Sequence, residues 1–130
     1  MILVDTSAWI DYFNGHSSSE AERLTQAIAD NEPLVMPGIV LTEILLGLKT
    51  DAEATRIAEL LGAFESAPES GRRDYLEAAH IYRACRSKGF TIRSTIDCLI
   101  AQICLRNGYR LLSKDRDFRT IAQHFPLSLI

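Results

Sequence analysis

Residues 1–11 read Met-Ile-Leu-Val-Asp-Thr-Ser-Ala-Trp-Ile-Asp and join a short apolar run to the start of a helix. The run Ile2–Val4 is typical of a fully buried central strand. Asp5 follows where this strand ends, and Thr6 and Ser7 are good N-caps for the helix after it. Ligands of open α/β sheets bind outside the carboxyl ends of the strands. Asp5 therefore either lines a site or caps the helix, and this stretch alone does not decide between the two.

The composition is that of an ordinary globular protein. The 130 residues are 47% hydrophobic and 24% charged, which predicts a single domain over residues 1–130. No apolar run approaches the roughly 18 residues of a membrane span, and the first residues lack the basic start of a signal peptide. The three cysteines show no CxxC spacing, which argues against a disulfide framework and makes a cytoplasmic protein the default expectation.

Net charge alone gives a misleading impression of the surface. The formal charge is −3, which disfavours a nucleic-acid partner. Five of the 17 acids are candidate site residues, so 12 remain against 14 lysines and arginines. A negative site within a slightly basic surface suits a metal-dependent enzyme that acts on a polyanion.

Short apolar runs alternate with amphipathic segments along the whole chain. The predicted strands are Ile2–Val4, Leu34–Met36, an extended piece at 64–67, 110–113 and 127–130. Helices are predicted after the first strand, at about 19–30, 39–48, 51–64, from 70 or 74 to 88, at 95–107, and briefly from 118. This order predicts an α/β fold of three layers, α/β/α, around a mainly parallel sheet of four to five strands.

Acidic residues recur at equivalent places in this pattern. Glu43 is the one acid in an otherwise apolar helix, and a buried charge there is costly unless it is paired or binds a metal. The alternative is that Glu43 lies on the solvent-exposed side of the helix and pairs with Lys49. Asp97 lies in the first turn of a helix, where the helix dipole alone also favours an acid. Asp115 and Asp117 follow the fourth strand directly.

Parallel strands bring these positions to one edge of the sheet. Asp5, Glu43, Asp97 and Asp115 are then expected to converge, and carboxylates that close repel one another without a cation. Oxygen ligands suit Mg²⁺ or Mn²⁺, and no histidine or cysteine set competes for zinc. This chemistry predicts hydrolysis of phosphodiester bonds.

Four segments together resemble the motifs of PIN-domain nucleases, and in length and spacing they most resemble VapC-type ribonuclease toxins. They are Val-Asp-Thr-Ser-Ala at 4–8, Thr-Glu-Ile at 42–44, Ile-Asp-Cys-Leu-Ile-Ala at 96–101 and Leu-Ser-Lys-Asp-Arg-Asp-Phe at 112–118. The resemblance covers essentially the whole chain in order. It implies a metal-dependent endoribonuclease that uses Mg²⁺ or Mn²⁺, a homodimer, and inhibition by a cognate VapB-type antitoxin.

The resemblance also implies roles for individual residues. Asp5, Glu43, Asp97 and Asp115 are the acidic quartet, and Asp117 is an auxiliary acid. Two hydroxyls accompany them: Thr6 beside the first acid, and Ser113 where the family often has threonine.

For the mechanism we expect Asp5, Asp97 and Asp115, with Asp117 as a further metal ligand, to hold the cation directly or through water. Glu43 is expected to orient or deprotonate the attacking water. The basic residues that flank the acids either hold RNA phosphates or are free surface charges: Arg93, Lys114, Arg116 and Arg119.

Two other classes of protein place an acid after the first strand. An aspartate-based phosphatase or phosphotransfer domain would leave Glu43 and Asp97 unexplained, and the phosphatase would need an acid where Ser7 stands. A non-catalytic metal-binding interaction module is the remaining alternative, and metal-dependent turnover separates it from a nuclease.

Overall fold

Five strands form the centre of the computed structural model, which describes all of residues 1–130. The strands are β1 Ile2–Val4, β2 Leu34–Met36, β3 Glu65–Ser66, β4 Arg110–Leu112 and β5 Ser128–Leu129. The helices are α1 Thr6–Phe13, α2 Ser19–Ala29, α3 Gly38–Leu46, α4 Asp51–Leu61, α5 Arg72–Ser87, α6 Thr95–Asn107 and α7 Asp117–His124. The predicted alternation of strands and helices is confirmed.

All neighbouring strands are parallel, in the order β3-β2-β1-β4-β5. β1 lies at the centre, where Ile2 pairs with Leu34 of β2 on one side and with Arg110 of β4 on the other. Every residue of β1 is buried, as its unbroken apolar run predicts.

The helices form two layers because the strand order reverses direction once. Right-handed crossovers from β1 to β3 place α1–α4 on one face of the sheet, and the return towards β4 and β5 places α5–α7 on the other. The contacts agree with this, since α1 packs on α2 and α3, while α5 packs on α6 and α7. The three-layer α/β/α prediction is confirmed.

Aromatic packing anchors α1 against its neighbours. Trp9 is buried, with its ring stacked on Phe13 at 5.7 Å and tilted against Phe64 at 5.2 Å. This packing fixes the helix that begins directly after Asp5 and so fixes the carboxyl end of β1.

The structure corrects the predicted N-caps of α1. The helix begins at Thr6, with Asp5 in the N-cap position and no side-chain capping bond. Thr6 and Ser7 therefore do not cap the helix, and their hydroxyls are used elsewhere.

The three cysteines are free and buried, as the absence of a disulfide pattern predicts. None of the seven helices combines the length and the apolar character that a membrane span requires.

Candidate metal centre

The carboxyl ends of β1 and β4 meet where the order of the strands reverses. Val4 pairs with Leu112, and the Asp5 amide continues the ladder with a 2.9 Å hydrogen bond to the Leu112 carbonyl. Asp5 and Ser113 therefore lie side by side, each directly after the last residue of its strand. Such a reversal point is where open α/β sheets bind their ligands.

Two serine hydroxyls hold the Asp5 carboxylate. Ser113 Oγ donates to Asp5 Oδ2 at 2.8 Å, and Ser7 Oγ donates to the same oxygen at 3.1 Å. Each hydroxyl also accepts a 3.0 Å backbone hydrogen bond, Ser113 from Asp115 and Ser7 from Lys114. The two serines thus join Asp5 to the loop after β4.

Burial is the main influence on the pKa of Asp5, a residue that is 6% exposed. Desolvation raises the pKa of this carboxyl, and the hydrogen bonds from Ser113, the Thr6 amide and Ser7 offset only part of that rise. Asp115 adds a like charge nearby. A cation close to these groups would favour the ionised form of Asp5.

Three other carboxylates form the tightest acidic group in the protein. Asp97 in the first turn of α6, Asp115 in the loop after β4 and Asp117 at the start of α7 each offer an oxygen within 4.8 Å of the others. The Asp117 amide donates to Asp115 Oδ1 at 2.9 Å, which ties the two acids of the loop together.

Asp97 is the member of this group with an unsatisfied oxygen. The residue is 7% exposed, and its Oδ2 is buried without a hydrogen-bond partner. Burial, and then the neighbouring Asp115, raise the pKa of Asp97 to about 8. Burial alone would raise the pKa of Asp115 too, but hydrogen bonds from Asp97 and the Asp117 amide, together with Arg93, lower it. The pKa values of the two neighbouring acids are therefore pushed apart, that of Asp97 upwards and that of Asp115 downwards.

These three residues fit a hard divalent cation. All the donor atoms are carboxylate oxygens, and Asp97, one of the three residues, has a buried oxygen without a hydrogen-bond partner. Mg²⁺ and Mn²⁺ prefer such oxygens and complete their shells with water or phosphate.

Asp5 and Glu43 stand outside this group of three. Asp5 is close enough for its charge to raise the pKa of Asp97. Glu43 is half-buried, and one of its oxygens accepts a 2.9 Å hydrogen bond from Thr6 Oγ1. No ion pair joins Glu43 to Lys49. The Thr6 hydroxyl, next to Asp5 in the chain, therefore links Glu43 of α3 to the site.

The flanking cations have different surroundings. The Arg93 guanidinium lies 3.3 Å from Asp117 and 3.5 Å from Asp115. Lys114 pairs with Asp11 instead of with the three site acids, and its Nζ lies 2.7 Å from Asp11 Oδ2. Asp11 is 8% exposed, and the contact with Lys114 lowers the pKa of this carboxyl.

Two further arginines remain unpaired near the acids. Arg116 and Arg119 are exposed and make no ion pair. Arg119 lines an open cleft of about 320 Å³ that reaches Ser113 and Asp115.

Reasoning from the sequence missed two contributors. Ser7 was expected only to cap α1, and Asp11 was assigned no role. The position of Ser7, two residues after Asp5, is compatible with a contact to that acid. Nothing local to Asp11 indicates its pairing with Lys114, which is 103 residues away in the chain.

Comparison with known sequences identifies related proteins. The family profile described as "PIN domain" matches residues 2–123. The chain is 37% identical over 124 residues to "VapC ribonuclease Mb1587" of Mycobacterium bovis, across 95% of this chain and 92% of that protein. "Ribonuclease VapC11" of Mycobacterium tuberculosis matches with the same identity and coverage.

Solved structures share the fold. VapBC2 from Rickettsia felis, solved bound to a DNA fragment from its promoter, matches with a TM-score of 0.76 and 21% identity over 100% of this chain and 98% of that chain. VapC20 of Mycobacterium tuberculosis, described as a sarcin–ricin loop cleaving toxin, matches with a TM-score of 0.65 and 18% identity over 96% of both chains. At these identities the likeness extends to the fold alone.

Proposed function

The chain belongs to the PIN-domain family, and from this premise we propose that it is a metal-dependent endoribonuclease, the toxin of a VapBC-type toxin–antitoxin pair, with residues 1–130 as one catalytic domain. The observation that carries the proposal is the buried, unpartnered oxygen of Asp97 beside Asp115 and Asp117. A group of this kind is costly unless its charge is offset, and a divalent cation would offset two of the three negative charges at once.

Asp97, Asp115 and Asp117 would hold Mg²⁺ or Mn²⁺, with Asp5 as a further ligand, directly or through water. The bound cation supplies Lewis acidity and neutralises charge that develops on the phosphate. Ser7 and Ser113 hold the Asp5 carboxylate in place, so that its charge stays directed towards the other acids.

Glu43 is the acid best placed to handle the attacking water. It lies outside the group of three, and the Thr6 hydroxyl engages only one of its two oxygens. Its role in the proposed reaction is to orient the water and accept its proton.

The unpaired arginines are suited to the RNA backbone. Arg116 and Arg119 flank the acids without carboxylate partners, and Arg119 borders the cleft that reaches Asp115. For Lys114 the short ion pair with Asp11 favours a different role, which is to hold the loop after β4 against α1.

Partners follow from the relatives. The chain is 37% identical to ribonucleases named VapC, and VapBC complexes share its fold. We therefore include in the proposal an RNA substrate and a cognate VapB-type antitoxin, and from the family resemblance alone we add a homodimer.

Cleavage of total cellular RNA tests the proposal. The purified, antitoxin-free protein is incubated with Mg²⁺ or Mn²⁺ and then with EDTA, and Asp5→Asn is prepared in the same way to exclude a contaminating nuclease. Discrete products that require both the metal and Asp5 are expected. If folded protein that binds Mn²⁺ yields no products, the proposal is wrong and a non-catalytic metal-binding module is favoured.

A further inference from the structure

Arg93 lies in the segment between α5 and α6, and its backbone is held independently of its side chain. The Arg93 amide donates to Asp117 Oδ2 at 3.0 Å, and the preceding Ile92 is buried. A substitution of the Arg93 side chain therefore leaves this backbone contact in place. The Arg93 side chain is 68% exposed.

The guanidinium contacts two of the carboxylates that would hold the cation. Arg93 Nε lies 3.3 Å from Asp117 Oδ2, and Nη2 lies 3.5 Å from Asp115 Oδ1. Asp117 and Asp115 therefore already receive a positive charge within the protein. The third acid, Asp97, makes no contact with it and keeps its unpartnered oxygen.

These contacts are weak enough to be replaced. Both distances are at the long end for charged hydrogen bonds, and an ion pair this exposed contributes little. The nearby pair of Lys114 with Asp11 differs, since it is 2.7 Å long and one partner is buried. A divalent cation that binds Asp115 and Asp117 carries twice the charge and would displace the guanidinium.

We infer that Arg93 is an internal counter-cation of Asp115 and Asp117, which the metal displaces and which then binds a phosphate of the nucleic-acid strand. The inference rests on the proposed function, because it requires a cation at the three acids. It assigns Arg93 two alternate partners, the carboxylates without metal and a phosphate with it. Arg93 is thus a positioning residue in the metal-free protein and a substrate contact in the loaded one.

Titration of the purified full chain with Mn²⁺ by calorimetry tests the first half. Arg93→Gln removes the competing charge, so its Kd for Mn²⁺ is expected to be about two- to five-fold lower than that of the wild type. Arg116→Gln is the matched control, since it removes the same charge nearby without a carboxylate contact, and its Kd should change less than about two-fold. Equal or weaker Mn²⁺ binding by Arg93→Gln would overturn the inference.

Thermal unfolding provides an independent readout that does not depend on activity. In EDTA, Arg93→Gln should melt below the wild type because the repulsion between Asp115 and Asp117 is no longer relieved. At saturating Mn²⁺ the two melting temperatures should converge, since the guanidinium is displaced in the wild type too. A difference that is the same with and without Mn²⁺ would show a purely structural salt bridge and contradict the inference.

Binding of a single-stranded oligodeoxynucleotide, checked to remain intact, tests the second half. With Mn²⁺ present, Arg93→Gln should reduce the salt dependence of log K by about 0.7, the value of one phosphate contact on a single strand. Without Mn²⁺ the wild type and variant should have the same slope, and a difference there would overturn the proposed exchange. A wild type that binds no Mn²⁺ would instead refute the metal site of the proposed function, and with it this inference.

Discussion

The Ser113 hydroxyl donates a 2.8 Å hydrogen bond to Asp5 Oδ2, across 108 positions of the sequence. It joins the carboxyl ends of the two central strands, β1 and β4, and also accepts the Asp115 amide. One hydroxyl thereby helps to position an acid after each of the two strands, Asp5 after β1 and Asp115 after β4.

Replacing this hydroxyl should impair catalysis without unfolding the protein. Ser113→Ala leaves Asp5 with one serine donor and the Asp115 amide without an acceptor. We expect RNA cleavage to fall about 10- to 100-fold, as is typical when a group that orients metal ligands is lost. Ser113→Thr keeps the hydroxyl and should retain most of the rate. A Ser113→Ala enzyme as fast as the wild type would contradict this role.

Asp97→Asn should abolish cleavage while the fold remains intact. The substitution removes a ligand charge without changing the shape of the side chain, so the loss should exceed about 100-fold. Circular dichroism and the melting temperature in EDTA should show a folded protein. Glu59→Gln, a change at an exposed acid of α4, is the matched control and should cleave normally. Near-wild-type rates for Asp97→Asn would make this assignment wrong.

Substitution of Glu43 should affect the cleavage rate and not the affinity for Mn²⁺, unlike substitution of a metal ligand. Glu43→Gln is expected to lower kcat by about 100-fold and to leave the Kd for Mn²⁺ unchanged, because Glu43 acts on water and lies outside the group of three acids. Thr6→Val should lower the rate by about ten-fold through the lost hydrogen bond, and Thr6→Ser should restore it. A large loss of Mn²⁺ affinity in Glu43→Gln would identify Glu43 as a ligand instead.

The stability of the metal-free protein should fall as the pH rises from about 4 to about 8. Folded Asp97 keeps its proton up to a pKa of about 8, whereas the unfolded chain loses it near the ordinary value of 3.8. Within this window the folded state binds more protons, so raising the pH favours unfolding. Asp5, whose pKa is also raised, acts in the same direction. The lowered pKa of Asp115 has the opposite effect on stability, but only at pH values at or below the ordinary pKa of an aspartate.

Melting temperatures at pH 5 and pH 8 in EDTA check this dependence. Asp97→Asn should flatten it, and excess Mg²⁺ should remove the loss at pH 8 because the cation favours the ionised carboxylates. A wild-type protein that is more stable at pH 8 than at pH 5 in EDTA would contradict the prediction.

A buried acid away from the site should affect stability alone. Asp74 at the start of α5 is 1% exposed, accepts hydrogen bonds from the Gly71 amide and Gln102, and pairs with Arg106. Asp74→Ala leaves these donors unsatisfied and should cost about 2 kcal/mol of unfolding free energy. Chemical denaturation measures the loss, and the Kd for Mn²⁺ should not change. A loss of Mn²⁺ affinity would show that the α5–α6 contact also positions Asp97.

Most of the fold was predictable because its signals are local. The apolar run of β1 and the turn residues between segments predict strands and helices in the observed order. The boundaries were less predictable: the helix expected at 51–64 ends at Leu61, since a turn is needed before β3. The caps of α1 were predicted incorrectly because a hydroxyl at a helix start has alternative acceptors, and here Asp5 and Glu43 bind them.

The sequence by itself determined that acids follow the strands of an α/β fold, because strand ends and helix starts are set by residues within a few positions of each other. The tertiary structure decided which acids meet. It brings Asp97, Asp115 and Asp117 within 4.8 Å, leaves Glu43 with Thr6, and directs Lys114 to Asp11. These pairings depend on the order of the strands and on packing between distant segments, so no local pattern specifies them.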